Sequence, residues 1–236
     1  MEPPEQERAD EPTMEELEAL LAAGPPRLRE AVEAVLSGFR PLTAATPRQR
    51  PTLLYYPSLS AVPWHQPSDY DFVQLLEDNW EAIYAEYLQV KDEPAGYEEI
   101  HSSVSGGKWT AFNLWAQGVK QEHNCSLAPV TTRLLESIPS FMSGSVLKPG
   151  THINTHCGPA NVKLRCHLGL ETPPNCTIRV AEETRGWEQG KCIVFDDSFD
   201  HEVAHRGDRD RVVLLIDVWH PDLTQVERTA IRRFLK

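Results

Sequence analysis

No stretch of this 236-residue chain approaches the about 18 consecutive apolar residues of a membrane-spanning helix. Its opening, MEPPEQERADEPTMEELEALL, has neither the basic start nor the apolar centre of a secretory leader. Basic residues are the minority, 23 Lys and Arg against 35 Asp and Glu, for a net charge of −12. Phosphate-rich partners need a basic face, so neither nucleic acid nor a membrane is expected as a partner. Cysteine is scarce and unpaired by pattern: Cys125, Cys157, Cys166, Cys176 and Cys192 make an odd number without a CxxC. That excludes a disulfide framework and fits reduced, mostly buried thiols. The expected location is the cytoplasm, and the glycosylation sequons at Asn124 and Asn175 read as chance.

What is present is an ordinary globular composition, 40% hydrophobic and 25% charged, enough for one substantial domain with an appendage. Residues 1–45 read as a flexible N-terminus with short helices, 46–224 as the main domain with a β core over about 105–220, and 225–236 as a C-terminal helix. Thr13 followed by Glu16 is a helix start, and a second short helix is expected at about 27–38, after Gly24-Pro25-Pro26. Phe72, Leu75, Leu76, Trp80, Ile83 and Tyr84 recur at helical spacing over 69–90. From Trp109 onward the pattern changes. FNLWAQG, GSVLKPG, NVKLRCHLGL, CTIRV, KCIVFDD, HEVAH and RVVLLIDVW are short apolar segments separated by Gly, Pro and Asn, which predicts an antiparallel sandwich or barrel.

The chemistry concentrates in three residues. His156 and His201 each lie in a strand-like segment, and Arg211 opens the apolar run RVVLLIDVW. Imidazoles from different strands hold redox iron well. A guanidinium at the head of so apolar a strand must be paired if it points inward, and its planar fork suits a carboxylate. His152 and His156 share the spacing of a helical zinc site, but Ile153 stands where the catalytic glutamate belongs, and Pro149-Gly150 with Thr-Ile-Asn-Thr opposes a helix. In the common two-histidine-one-carboxylate site the acid lies two residues after the first histidine. Here that residue is Gly158. Asp196, Asp197 and Asp200, just before the second histidine, could in principle replace the missing carboxylate, in a turn that also reads as a solvated acidic loop. Arg165 and His167 share a strand face with Lys163.

The words SVLKPGTHINTHCGPAN, RCHLGL, FDDSFDHEV and DVWHPDLT, preceded by QRPTLLYYPSLSAVPW and WTAFNLWAQG, resemble the aspartyl/asparaginyl β-hydroxylase family, from about residue 49 to 224. The resemblance implies a mainly β fold with flanking helices, a double-stranded β-helix (jelly roll or cupin barrel). It implies an iron(II)- and 2-oxoglutarate-dependent dioxygenase, using dioxygen to hydroxylate the β-carbon of aspartyl or asparaginyl residues, or a related amino acid or peptide. The substrate would be a peptide, protein or amino acid with an acidic or amide side chain. His156 and His201 would be the metal ligands, with solvent in the third place, and Arg211 would clamp the distal carboxylate of 2-oxoglutarate. The counterparts of Trp109, Ser145, Arg165, Cys166 and His167 line the cosubstrate and substrate pocket, with Lys163 nearer the rim to greet the substrate. The family's best-known animal members carry a membrane anchor and a helical-repeat region that are not expected here, and Leu147 stands where they have methionine. Two alternatives remain open: a halogenating or small-molecule-hydroxylating relative, with Gly158 leaving room for chloride, and a non-catalytic cupin-like binding protein.

Overall fold

The structure, a computed structural model, describes residues 13–37, 44, 46–92, 96–99, 104–105, 109–116, 118–149, 152–206 and 209–235. Its helices are α1 (Met14–Ala23), α2 (Pro26–Leu36), α3 (Asp71–Asp78), α4 (Trp80–Val90), α5 (Glu122–Leu127), α6 (Pro129–Glu136) and α7 (Gln225–Phe234). Its strands are β1 (Trp64–His65), β2 (Tyr97–Glu99), β3 (Val104–Ser105), β4 (Trp109–Asn113), β5 (Trp115–Ala116), β6 (Val119–Lys120), β7 (Phe141–Pro149), β8 (His152–His156), β9 (Lys163–Glu171), β10 (Cys176–Val180), β11 (Glu183–Arg185), β12 (Cys192–Phe195), β13 (His201–His205) and β14 (Val212–Trp219).

Two antiparallel sheets pack face to face. The larger runs β1-β12-β9-β14-β7-β4-β2 and the smaller β11-β10-β13-β8-β3. The centre of the larger sheet is covered on both sides, which is why β14 is buried at every position and reads as an unbroken apolar run. Strand alternation sorts its side chains. Val212, Leu214, Ile216 and Val218 join Leu164, Cys166 and Leu168 in a core against α3, α4 and α6. Val213 and Leu215 face Ile153, Ile178, Val180 and Val203 of the smaller sheet.

This corrects the expected mainly β double-stranded β-helix. Among the described residues helix and strand are nearly equal, 34% and 32%. Among the described residues neither sheet closes into a barrel: the larger ends at β1 and β2, the smaller at β11 and β3. Alternating apolar residues identify strands but carry no information on whether sheet edges meet. The helical excess comes partly from α5 and α6, of six and eight residues, too short to show a clear period. The helix expected over 69–90 is two. Asn79 interrupts it, turning its side-chain amide onto the Leu75 carbonyl at 2.8 Å, the competition that makes Asn a poor interior helix residue.

The N-terminal helices pack onto the rest of the chain. Leu17, Leu28, Ala31 and Val32 form one core with Tyr56, Trp219, Ala230 and Ile231. Its polar anchor is Glu227, wholly buried. It accepts from Arg27 Nε at 2.6 Å, Tyr56 Oη at 2.8 Å and, as the capping box of α7, the Thr224 N–H at 2.7 Å. Removing one member of such a pair strands the other charge, at roughly 2–4 kcal/mol for a pair whose arginine is 19% exposed. Glu227→Ala is expected to lower the unfolding free energy in urea by that amount and to make α1 and α2 the first segments cut in limited proteolysis.

Candidate active site

His156 ends β8 and His201 begins β13, and the two are direct partners across the smaller sheet. Counted from the Ile153–Val203 pair, strict alternation along β8 would put His156 on the opposite face. Val203 pairs with Ile153 and His201 with His156, so β8 carries one more residue than β13 between the two pairs. This bulge turns His156 to the side of His201, a common use of bulges beside functional sites. The ring centroids stand 4.2 Å apart. Each Nδ1 meets a backbone carbonyl two residues earlier, Asn154 O at 2.8 Å for His156 and Phe199 O at 2.9 Å for His201. A carbonyl can only accept, so each Nδ1 carries the proton and each Nε2 keeps its lone pair for a metal. Burial, with His156 adding to it, pushes the His201 pKa down to about 4, so the imidazole stays neutral at physiological pH. The donor set thus fits a metal held by two imidazoles. Among the described residues no group of three or more His, Cys, Asp or Glu is arranged to hold one.

A second set lies on the inner face of the larger sheet. Ser145, Leu215 and His167 form one row across β7, β14 and β9. Arg211 has the parity of Val213 and Leu215, which points it inward, and it is 1% exposed. Its guanidinium carbon lies 4.1 Å from the centroid of the Trp187 ring. Among the described residues its Nε and Nη1 have no partner, and neither has His167 Nε2. Burial pushes the Arg211 pKa down to about 9, which leaves it cationic at neutral pH. Burial, then Arg211 and Arg165, hold the His167 pKa well below the ordinary value. Trp187 Nε1–H donates to His167 Nδ1 at 3.3 Å, so the proton of the neutral ring is on Nε2. Three buried donors without an acceptor are costly. They define a place for an anionic oxygen group such as a carboxylate.

Arg165 and Lys163 sit in neither set as expected. Lys163 is 8% exposed and bridges Asp197 Oδ2 at 2.9 Å and Asp217 Oδ2 at 3.0 Å, so it belongs to the interior and not the rim. Arg165 grips Asp217 through Nε at 2.8 Å and Nη2 at 3.1 Å and reaches Asp197 through Nη1 at 3.0 Å. Burial opposes ionisation of Asp217, but Arg165 and Lys163 outweigh it and hold its pKa well below the carboxylate range. The sequence offered one sign of this quartet: Asp217 is the lone charge inside VVLLIDVW, and a buried charge needs a partner. Cys166, expected beside the cosubstrate, points away. It alternates with Arg165 and His167 and is wholly buried in the core on the helix side. Trp109 pairs with Pro149 through β4 and β7; its side chain lies outside the described residues.

A family model for aspartyl/asparaginyl beta-hydroxylase matches residues 77–221. This chain belongs to that family. Human aspartyl/asparaginyl beta-hydroxylase is 41% identical over 186 residues, which are 73% of this chain and 24% of that protein. Mouse aspartate beta-hydroxylase domain-containing protein 2 is 37% identical over 201 residues, 78% of this chain and 58% of that one. The chain therefore spans about a quarter of the first relative and under two thirds of the second. Among solved structures, an oxidoreductase of the 2OG-Fe(II) oxygenase family from Burkholderia pseudomallei covers 68% of this chain and 97% of its own, at 11% identity and a TM-score of 0.43, a likeness too slight to argue from.

In this member of the aspartyl/asparaginyl beta-hydroxylase family the corner after His156 is not open space. The Gly158 N–H donates to the Asp197 carbonyl at 2.6 Å, and a Cβ on Gly158 would lie 2.6 Å from Asp197 Cγ and Oδ2. The acidic turn is no solvated loop either: Asp196, Asp197 and Ser198 are wholly buried, and burial pushes the Asp196 pKa up to about 7. A carboxylate already fills the room expected for chloride. Gly158→Asp, which would complete the common triad on paper, is expected to lower both metal affinity and stability, since it drives a second carboxylate into Asp197. The check is a metal titration beside a thermal melt; tighter metal binding with an unchanged melt would contradict this account of the corner.

Proposed function

We propose that this chain is an iron(II)- and 2-oxoglutarate-dependent dioxygenase that hydroxylates the β-carbon of aspartyl or asparaginyl residues, in a peptide, a protein or a smaller amino-acid derivative. The observation that carries the reading is the junction of two sets: paired imidazoles whose Nε2 atoms keep their lone pairs, and buried donors on Arg211 and His167 that have no partner among the described residues. Iron and 2-oxoglutarate together supply, with dioxygen, an oxidant able to take a hydrogen from an unactivated carbon, and succinate and carbon dioxide are the coproducts.

The chain's own residues bind, orient and exclude water. His156 and His201 hold the metal from opposite strands. Arg211 Nε and Nη1 take the distal carboxylate of 2-oxoglutarate in a desolvated, charge-assisted contact, with Ser145 in the same row. Phe195, packed on His201 at 6.0 Å and on His167 at 5.1 Å, and Val213 and Leu215 form an apolar wall that keeps solvent from the reacting carbon.

The test is incubation of the protein with iron(II), 2-oxoglutarate and air beside a panel of aspartyl and asparaginyl peptides and free amino acids. The expected result is one added oxygen atom on the β-carbon of an Asp or Asn, read by mass spectrometry and fragmentation. Oxygen added elsewhere, or a chlorinated product in chloride buffer, would replace this reading.

A further inference from the structure

Trp187 has no role in the reading above beyond its contacts, yet three features of the pocket meet on its indole. Its Nε1–H donates to His167 Nδ1 at 3.3 Å. Its ring lies nearly parallel to that imidazole, at 22° with centroids 6.1 Å apart. Its face carries the Arg211 guanidinium at 4.1 Å. Trp187 is 8% exposed and comes from the short connection between β11 and β12, which is tied to β9. Gly190 N–H donates to Gly169 O at 2.9 Å and Gly169 N–H to Lys191 O at 3.1 Å. Gln189 Nε2 donates to Leu170 O at 3.0 Å. Gly169, in the middle of a buried strand, has no side chain because a Cβ there would strike the Glu188 carbonyl oxygen. The glycine of RCHLGL thus buys the close approach that puts the indole in place.

The chemistry of the two residues on the indole explains what it does. A neutral imidazole has one N–H, and which nitrogen bears it is set by the bond the other makes. An N–H donor at Nδ1 forces the proton onto Nε2, where it faces the pocket as a donor. Without that bond the Nδ1–H tautomer becomes available, and it would aim a lone pair at a bound anion. Arg211 has no carboxylate partner among the described residues, so before an anion arrives its orientation depends on packing, and a guanidinium stacks well on an aromatic face.

The geometry points to Trp187 as a positioning residue: it fixes His167 as the Nε2–H tautomer and holds the Arg211 guanidinium over its ring, so that donors of both converge on one carboxylate. The identity of that carboxylate as 2-oxoglutarate rests on the function proposed above; the clamp itself does not. Three proteins test it: wild type, Trp187→Phe, which keeps a ring face but loses the N–H, and Trp187→Leu, which loses both. In metal-free protein labelled with 15N-histidine, long-range proton–nitrogen spectra should show wild-type His167 protonated at Nε2, and Trp187→Phe should show a Nδ1–H population. Calorimetric titration of 2-oxoglutarate into manganese(II)-loaded protein without oxygen should give affinities weaker by about 5-fold for Phe and about 30-fold for Leu, with manganese affinity unchanged within about 2-fold in both. Wild-type His167 protonated at Nδ1 would overturn the proposal with no variant needed, and so would a Phe variant with the wild-type tautomer and affinity. If wild type shows the Nε2–H tautomer, and Phe the shift, while neither binds 2-oxoglutarate, the clamp stands and the cosubstrate assignment falls.

Discussion

Arg211→Ala should weaken 2-oxoglutarate binding by about 30-fold or more while leaving metal affinity near wild type. The arginine is 1% exposed, and two of its nitrogens have no partner among the described residues, so a carboxylate that meets it there is desolvated with it. Truncating one side of such a charge-assisted contact costs about 2–5 kcal/mol, and about 1.4 kcal/mol is a factor of ten. Lys163→Ala is the instructive comparison. A rim lysine would change little, but Lys163 joins Asp197 to Asp217 in the interior. Its removal should appear as lost stability, with the 2-oxoglutarate affinity changed far less than in Arg211→Ala. Anaerobic titrations with manganese(II) bound, beside urea unfolding, separate the two effects. Equal 2-oxoglutarate affinities in the two variants would remove Arg211 from the pocket.

The second large effect is expected for the His156→Ala/His201→Ala double variant: iron content at background and no turnover of 2-oxoglutarate. The metal would depend on two imidazoles, because Asp197, the nearest acid to that corner, is committed to Lys163 and Arg165 and Gly158 offers no ligand. The fold should persist. β13 is paired with β10 along its whole length. Iron determination after anaerobic loading and gel filtration, with circular dichroism on the same sample, checks both halves. Full iron loading in the double variant would place the metal elsewhere.

The sequence showed most clearly what depends on local chemistry. The seven apolar segments from FNLWAQG to RVVLLIDVW all contribute strands, because burial of a strand on one or both faces writes itself into residue choice. Thr13 and Glu16 form the capping box their spacing suggests. Features that depend on long-range geometry stayed hidden. Open sheet edges leave no mark on alternation. The bulge that brings His156 to the side of His201 has no Gly or Pro to announce it. Lys163 and Cys166 were misplaced for opposite reasons. Lys163 reads as a rim residue because lysine is seldom buried, but Asp217 of β14 and Asp197 of the turn after β12 offset its desolvation. Cys166 was grouped with its neighbours as a word, although one step along a strand changes the face. Trp187, between Gly186 and Glu188 in an exposed-looking turn, gave no periodic signal at all.

The central claim is that the paired imidazoles and the Arg211 pocket form one oxygenase site, and succinate release tests it most directly. Wild-type protein with iron(II), 2-oxoglutarate, dioxygen and an aspartyl peptide is predicted to release succinate. The release should require iron and fall to background in both the double histidine variant and, at low 2-oxoglutarate, Arg211→Ala. Succinate formed at the wild-type rate by the iron-loaded double histidine variant would contradict the account.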